Sequence, residues 1–126
     1  MSRTNHKMVI VMRKDLNMNS GKCVVQGSHA VVGTIREIEK NGSSAQKEIL
    51  EKWEKDSFTK IVLEVSSEKE LDDYFEKVTN AGYLSRLIVD KGWTVFNEVP
   101  TKTCFAFLGV SLDIDKITGV LNLYKG

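Results

Sequence analysis

Lys22, Gln26 and His29 stand at i, i+4 and i+7 in the stretch SGKCVVQGSHA, Ser20 to Ala30. That spacing puts an ammonium, an amide and an imidazole on one face of a helix. Such a face is commonly no more than solvated polar surface. It can also serve an anion or a developing oxyanion, because the first turn of a helix offers free N–H groups and a positive dipole end. The helix starts directly after a buried strand, so Lys22 sits at a strand's carboxyl end, where open α/β sheets bind ligands. Gly27 and Gly33 each cost about 1 kcal/mol relative to alanine within that helix, which predicts close approach of a backbone or a ligand. Asp90 closes the apolar run LIV, Leu87 to Val89, and precedes Lys91-Gly92. It reads equally as an Asx-type turn residue or as a carboxylate facing Lys22 across neighbouring strand ends. In the second case the pair can hold a water beside an electrophilic carbonyl while the ammonium stabilises the oxyanion. Thr94, two residues beyond Gly92, adds a hydroxyl.

Other chemistries lack their residues. There is no GxSxG elbow, Walker loop or HExxH. Cys23 and Cys104 have neither a CxxC partner nor clustered histidines, so two free thiols in a reducing compartment are expected and no metal site is. No cofactor is expected either.

These side chains need a frame. Met8 to Met12 (MVIVM) suits a strand covered on both faces. A helix follows from Gly21 to about Lys40, with Val24, Ser28, Val31, Ile35 and Ile38 as its inward stripe. A second helix, near Ala45 to Lys55, turns Ile49, Leu50 and Trp53 inward. Ile61 to Val65 is the next strand, with Glu64 on an exposed face. Ser67 and Glu70 form a capping box opening a helix striped by Leu71, Tyr74, Phe75 and Val78, and Gly82 stops it. Strands are predicted at Leu87 to Val89 and Thr103 to Leu108, with extended character over Trp93 to Phe96. A helical turn at Asp113 to Ile117 precedes Val120 to Tyr124. The expected architecture is α/β: a single-domain three-layer α/β/α sandwich around a mixed, mostly parallel four-stranded sheet, residues 1–126, with 1–6 as a flexible tail.

The hydrophobic fraction of 41% and charged fraction of 28% belong to a soluble globular chain. No apolar run is longer than Met8 to Met12, which is too short for a membrane span, so no membrane partner is expected. Net charge is only +1. Residues 1–40 nevertheless hold seven Lys or Arg against three Asp or Glu, and the remainder eleven against fourteen. This asymmetry fits a polyanion-facing side or a chance scatter of solvated charge. In the first case Arg13, Lys14 and Lys91 are candidates for phosphate contact.

KMVIVMRKDLNMNSGKCVVQGSHAVVG resembles the signature of the type 2 peptidyl-tRNA hydrolases of archaea and eukaryotes. KIVLEVSSEKEL, LIVDKGWT and DIDKITGVLNLY match further stretches in order, so the resemblance runs from about Lys7 to Tyr124. It implies hydrolysis of the ester joining a peptide to the terminal ribose of tRNA, a cytoplasmic location and a homodimer. It places Lys22, Gln26, Asp90 and Thr94 on active-site positions, with Ser28 and His29 in the adjoining substrate-binding motif. The alternative is a non-catalytic tRNA- or protein-binding module on the same fold. Gly27 stands where the family commonly has cysteine, so no thiol chemistry is implied at that position. Pro100-Thr101 and Gly109-Val110 depart from the family's Gly-Thr and Gly-Pro.

Overall fold

The run MVIVM is apolar at every position because β1 (His6–Arg13) is covered on both faces. Met8, Ile10 and Met12 pack with Ala30, Ile38, Leu50 and Trp53, whereas Val9 and Val11 pack with Leu71, Val78 and Ile114. The computed structural model describes residues 5–92 and 99–125; Thr94 and the extended segment expected over Trp93 to Phe96 lie outside the described residues. The remaining elements are α1 (Ser20–Asn41), α2 (Ser44–Lys55), β2 (Lys60–Val65), α3 (Glu68–Asn80), β3 (Ile88–Asp90), β4 (Thr101–Val110) and α4 (Ser111–Thr118). Helices α1 and α2 cover one face of the sheet and α3 and α4 the other, giving the three layers. β1 begins at His6, inside the span expected as a tail, and the Asn5 carbonyl already accepts from the Ser111 N–H at 2.8 Å.

Strand order is β2-β1-β4-β3. The sheet is mixed, as expected, but its parallel share is smaller: β1 and β2 run parallel, while β4 is antiparallel to both β1 and β3. The cause is chain length. Residues 91–100 are too few for the crossover that a parallel connection needs, so β4 must turn straight back. A consequence matters for function. With β4 antiparallel to both flanking strands, β1 and β3 point the same way and their carboxyl ends share one end of the sheet.

The inward stripe of α1 differs from the one its aliphatic spacing predicts. Ile38 is buried and Val31 and Ile35 pack against the core as expected, but Val24 and Ser28 are exposed, and the other buried positions are Gln26, Gly27, Ala30, Gly33 and Thr34. Small residues face the sheet because α1 lies close against β4. Thr34 donates to the Ala106 carbonyl at 2.9 Å, and the Cys104 thiol reaches the Gln26 carbonyl at 3.3 Å. Gly27 meets Ile10 and Met12 from the sheet, and Gly33 makes room for Arg86. A Cβ at Gly27 would meet Ile10 and Met12 at ordinary contact distance and one at Gly33 would crowd only the Arg86 side chain, so side chains lie against both glycines where a backbone or a ligand is expected.

Caps fix the helix starts. Asn19 accepts from the Lys22 N–H at the head of α1. Ser43 and Gln46 form a complete capping box for α2. At α3 Ser67 accepts from Glu70 N–H, but the Glu70 carboxylate returns to the Ser66 N–H instead of completing the box at Ser67. Gly82 adopts φ +96°, the left-handed conformation that suits a helix stop. The last segment lies along the outer edge of β2, with Tyr124 N–H on the Val62 carbonyl and Glu64 N–H on the Asn122 carbonyl. Glu64 is less open than expected. Its carboxylate is largely covered and lies 3.5 Å from the Lys14 ammonium.

Candidate active site

Two strand ends and one helix start converge at the sheet's carboxyl end. β1 leads through Met18 and Asn19 into α1, whose first turn carries Lys22, and β3 ends on Asp90. Lys22 Nζ donates to Asp90 Oδ1 at 2.9 Å, with side-chain exposures of 13% and 15%. One turn along α1, Gln26 Nε2 donates to the same oxygen at 3.3 Å. The other carboxylate oxygen accepts from the Gly92 N–H at 2.9 Å, closing a turn in which Gly92 takes φ +81°. Asp90 is thus both things its sequence context allows, a turn-forming residue and the partner of Lys22. The two strand ends are not adjacent, however: β4 runs between β1 and β3.

Burial acts on Asp90 to raise its carboxyl. The hydrogen bonds from Lys22 and the Gly92 N–H, the Lys22 charge and the Gln26 amide outweigh that, and hold it below the ordinary aspartate value. The site therefore presents a carboxylate and an ammonium as a charged pair at neutral pH. They open into a cavity of about 380 Å³ lined by Lys22, Gln26, His29, Ile88, Val89, Asp90 and Lys91. A largely covered ion pair at the wall of a cleft can orient a water with its anionic member and stabilise a developing oxyanion with its cationic member.

The other candidates take different places. His29 lines the same cavity from the next turn of α1, and Lys91 lies exposed at its rim. Ser28 is exposed on another flank of α1, where its hydroxyl donates to the Val24 carbonyl at 2.8 Å. Lys14 is half exposed beyond the end of β1. Arg13 is buried. Its guanidinium makes paired contacts to Asp15 at 3.1 and 2.7 Å and donates to the Lys102 carbonyl at 3.1 Å. Among the described residues no group of three His, Cys, Asp or Glu side chains converges to hold a metal ion.

Sequence reasoning missed Thr103. Its hydroxyl donates to Gln26 Oε1 at 2.6 Å, fully buried, so it stands directly behind the amide that touches Asp90. A threonine inside the apolar run TCFAFL was the available signal, because a buried hydroxyl needs a partner.

A larger groove of about 530 Å³ opens on the opposite flank of α1, between Val24, Val31 and Val32 and the β1–β2 residues Ile10, Met12 and Val62. Its walls are mainly apolar and it contains no carboxylate.

Comparison with known proteins places these features in a wider set. The family model described as "Peptidyl-tRNA hydrolase PTH2" matches residues 6–124. A peptidyl-tRNA hydrolase of Methanocaldococcus jannaschii is 39% identical over 119 residues, spanning 93% of this chain and 98% of the relative. One from Sulfurisphaera tokodaii is 39% identical over 118 residues, spanning 93% and 97%. A probable peptidyl-tRNA hydrolase 2 of Dictyostelium discoideum is 31% identical over 94% of this chain and 54% of the relative. Among solved structures, a protein of unknown function from Agrobacterium tumefaciens superposes with a TM-score of 0.63 at 12% identity, covering 98% of this chain and all of that one. That likeness concerns the fold alone. No described helix is long and apolar enough to cross a membrane.

Proposed function

We propose, from the premise that this chain belongs to the peptidyl-tRNA hydrolase PTH2 family and is an ester hydrolase acting on peptidyl-tRNA, that Lys22 and Asp90 carry the reaction as a charged pair. The observation that carries this assignment is the 2.9 Å contact between them at the mouth of the cleft. Water attacks the ester carbonyl and releases a proton to solvent, the carbonyl oxygen becomes an oxyanion, and collapse expels the ribose oxygen, which takes a proton back from solvent. An effective general base has a pKa near the working pH, and Asp90 lies well below it. Its part is therefore to orient the water and to keep the Lys22 ammonium aimed into the cleft. Lys22 supplies positive charge to the oxyanion. Gln26 holds the carboxylate, and Thr94 adds a hydroxyl for positioning.

The tRNA-facing surface comprises His29 and Lys91 at the cleft and Lys14 beyond the end of β1; Ser28, on the other flank of α1, lies outside it. Arg13 contributes from behind, since its guanidinium already secures the Lys14–Asp15 turn to β4. The two free thiols, Cys23 and Cys104, suit a reducing cytoplasm as the working compartment.

The assembly is a homodimer formed through the outer flank of α1. Val24 and Val32 are 67% and 48% exposed and lie four residues either side of Ser28. Two α1 helices crossing antiparallel at Ser28 would set Val24 of each copy against Val32 of the other. Such a self-complementary stripe is what a two-fold interface requires.

The deciding experiment is release of peptide from N-blocked aminoacyl-tRNA, with free aminoacyl-tRNA and simple esters as controls. The wild-type chain is expected to cleave the first selectively. Lys22→Ala should fold normally and lose about 100-fold or more in rate. Near-normal turnover by that variant would remove Lys22 from the mechanism. Tight tRNA binding without cleavage by the wild type would make the chain a binding module.

A further inference from the structure

Along β4 the side chains should alternate between the two faces of the sheet. Phe105 and Phe107 point into the α3/α4 layer, and Cys104, Ala106 and Leu108 into the α1/α2 layer. By that alternation Thr103 belongs with the phenylalanines. It instead hydrogen-bonds Gln26 of α1. The register explains how. Ile88 pairs with Cys104 but the next residue, Val89, pairs with Lys102, so Thr103 is the extra residue of a β-bulge. Bulges next to functional sites commonly re-aim a side chain, and this one turns two consecutive residues, Thr103 and Cys104, toward the same helix residue. Thr103 holds the side-chain oxygen of Gln26 at 2.6 Å, and Cys104 holds its backbone carbonyl at 3.3 Å.

We infer that Thr103 is a positioning residue for the hydrolytic reaction: through the bulge it fixes the Gln26 amide with its N–H group toward Asp90, and so keeps that carboxylate aimed at Lys22. The inference rests on the assignment of Asp90 and Lys22 made above. Its chemistry is complementary. A carboxamide has one accepting end and one donating end. The Thr103 hydroxyl donates to the first and the Asp90 carboxylate accepts from the second, so both demands are met in a single orientation of the amide. Gln26 is 2% exposed and Thr103 is fully buried, so water cannot replace the hydroxyl. Removing it leaves Gln26 Oε1 as a buried acceptor without a donor, which the amide relieves by rotating or withdrawing. Asp90 then loses a hydrogen bond that favours its ionised form. The charged and titratable groups around Asp90 among the described residues are Lys22 and His29 from α1 and Lys91 beside it in the chain. From β4, Lys102 turns away to Asp72 at 3.1 Å. Rotation of the Gln26 amide therefore acts on a small set of neighbours.

The experiment compares wild type, Thr103→Val and Thr103→Ser in two readouts: the ¹³C carboxyl titration of Asp90, and kcat and KM for peptidyl-tRNA hydrolysis across pH. Thr103→Val is expected to move the Asp90 titration to higher pH, lift the acid limb of kcat with it, and lower kcat at neutral pH by about 10- to 100-fold with little change in KM. Thr103→Ser, which keeps the hydroxyl, is expected to return most of the loss. An Asp90 titration that stays in place in Thr103→Val overturns the inference, as does a serine variant no better than valine. A shifted titration with unchanged kcat supports the positioning role and overturns the mechanistic assignment of Asp90, so the two failures are distinguishable. Should the valine variant not fold, Thr103→Ala removes the same hydroxyl with less bulk and is held to the same criteria.

Discussion

Asp90 concentrates three contacts on two oxygens, from Lys22, Gln26 and the Gly92 N–H. Asparagine at this position keeps the turn to Gly92, because its side-chain oxygen caps turns nearly as well. It removes the charge that holds the ammonium. Asp90→Asn is therefore expected to fold normally and to lose about 100- to 10,000-fold in turnover. Adding Lys22→Ala should cost little more, since groups that act as a unit are non-additive. Losses that multiply would show the two residues acting separately, and substantial turnover by the asparagine variant would sink Asp90's role. Lys22 and Asp90 were legible in the sequence because one sits where a helix begins and the other where a strand ends, and Gln26 because it follows Lys22 by one helical turn. Thr103 was not, since its direction depends on a bulge that only strand pairing creates. Arg13 reads from sequence as a free cation beside a turn, but Asp15 two residues on and the Lys102 carbonyl from β4 hold its guanidinium.

Element boundaries followed largely from local chemistry. The Asn19 and Ser43 caps, the Ser67 start and the Gly82 stop are all visible in short stretches. The buried face of α1 was not, because valine spacing points to one flank while the sheet selects the small residues of another. That selection reflects interlayer distance, a property of the packed pair and not of either segment. On the opposite face of the sheet, layer spacing likewise makes Gly109 critical. A Cβ there would lie 2.7 Å from Tyr83 Cε1 and 3.2 Å from Ile114 Cγ1. The Tyr83 ring packs edge-on against Phe107 at 5.3 Å between centroids, and Ile114 is fully buried, so neither can withdraw freely. Gly109→Ala is expected to destabilise the fold by about 1–3 kcal/mol through overpacking. Ser43→Ala, which removes only a helix cap, should cost about 1 kcal/mol. Urea unfolding of both variants measures these costs, and a Gly109→Ala protein as stable as wild type would contradict the packing argument.

At the scale of the whole molecule, the proposed reaction and the proposed dimer interface fall on different flanks of α1. Lys22, Gln26 and His29 face the cleft, while Val24 and Val32 face outward. Val24→Glu should give a monomer by light scattering while the isolated fold survives, because the residue is exposed in the single chain. A dimer of unchanged affinity would place the interface elsewhere. Substrate binding is a separate matter of charge distribution. With a net charge of only +1, the chain has little general attraction for a polyanion, so affinity must come from local contacts. Each phosphate neutralised by a lysine releases counterions and steepens the dependence of affinity on salt. Lys14 is exposed enough to reach a phosphate, and its contact with the largely covered Glu64 carboxylate is long, at 3.5 Å. Lys91 is exposed beside Asp90. Lys14→Ala and Lys91→Ala should each reduce the slope of log K against log salt by about 1 and weaken binding regardless of tRNA sequence. Arg13→Ala should leave the slope nearly unchanged and lower thermal stability instead, since that guanidinium is committed to Asp15 and Lys102. A steep slope abolished by Arg13→Ala alone would reverse this division, and a flat slope for the wild type would mean that phosphates contribute little to substrate recognition.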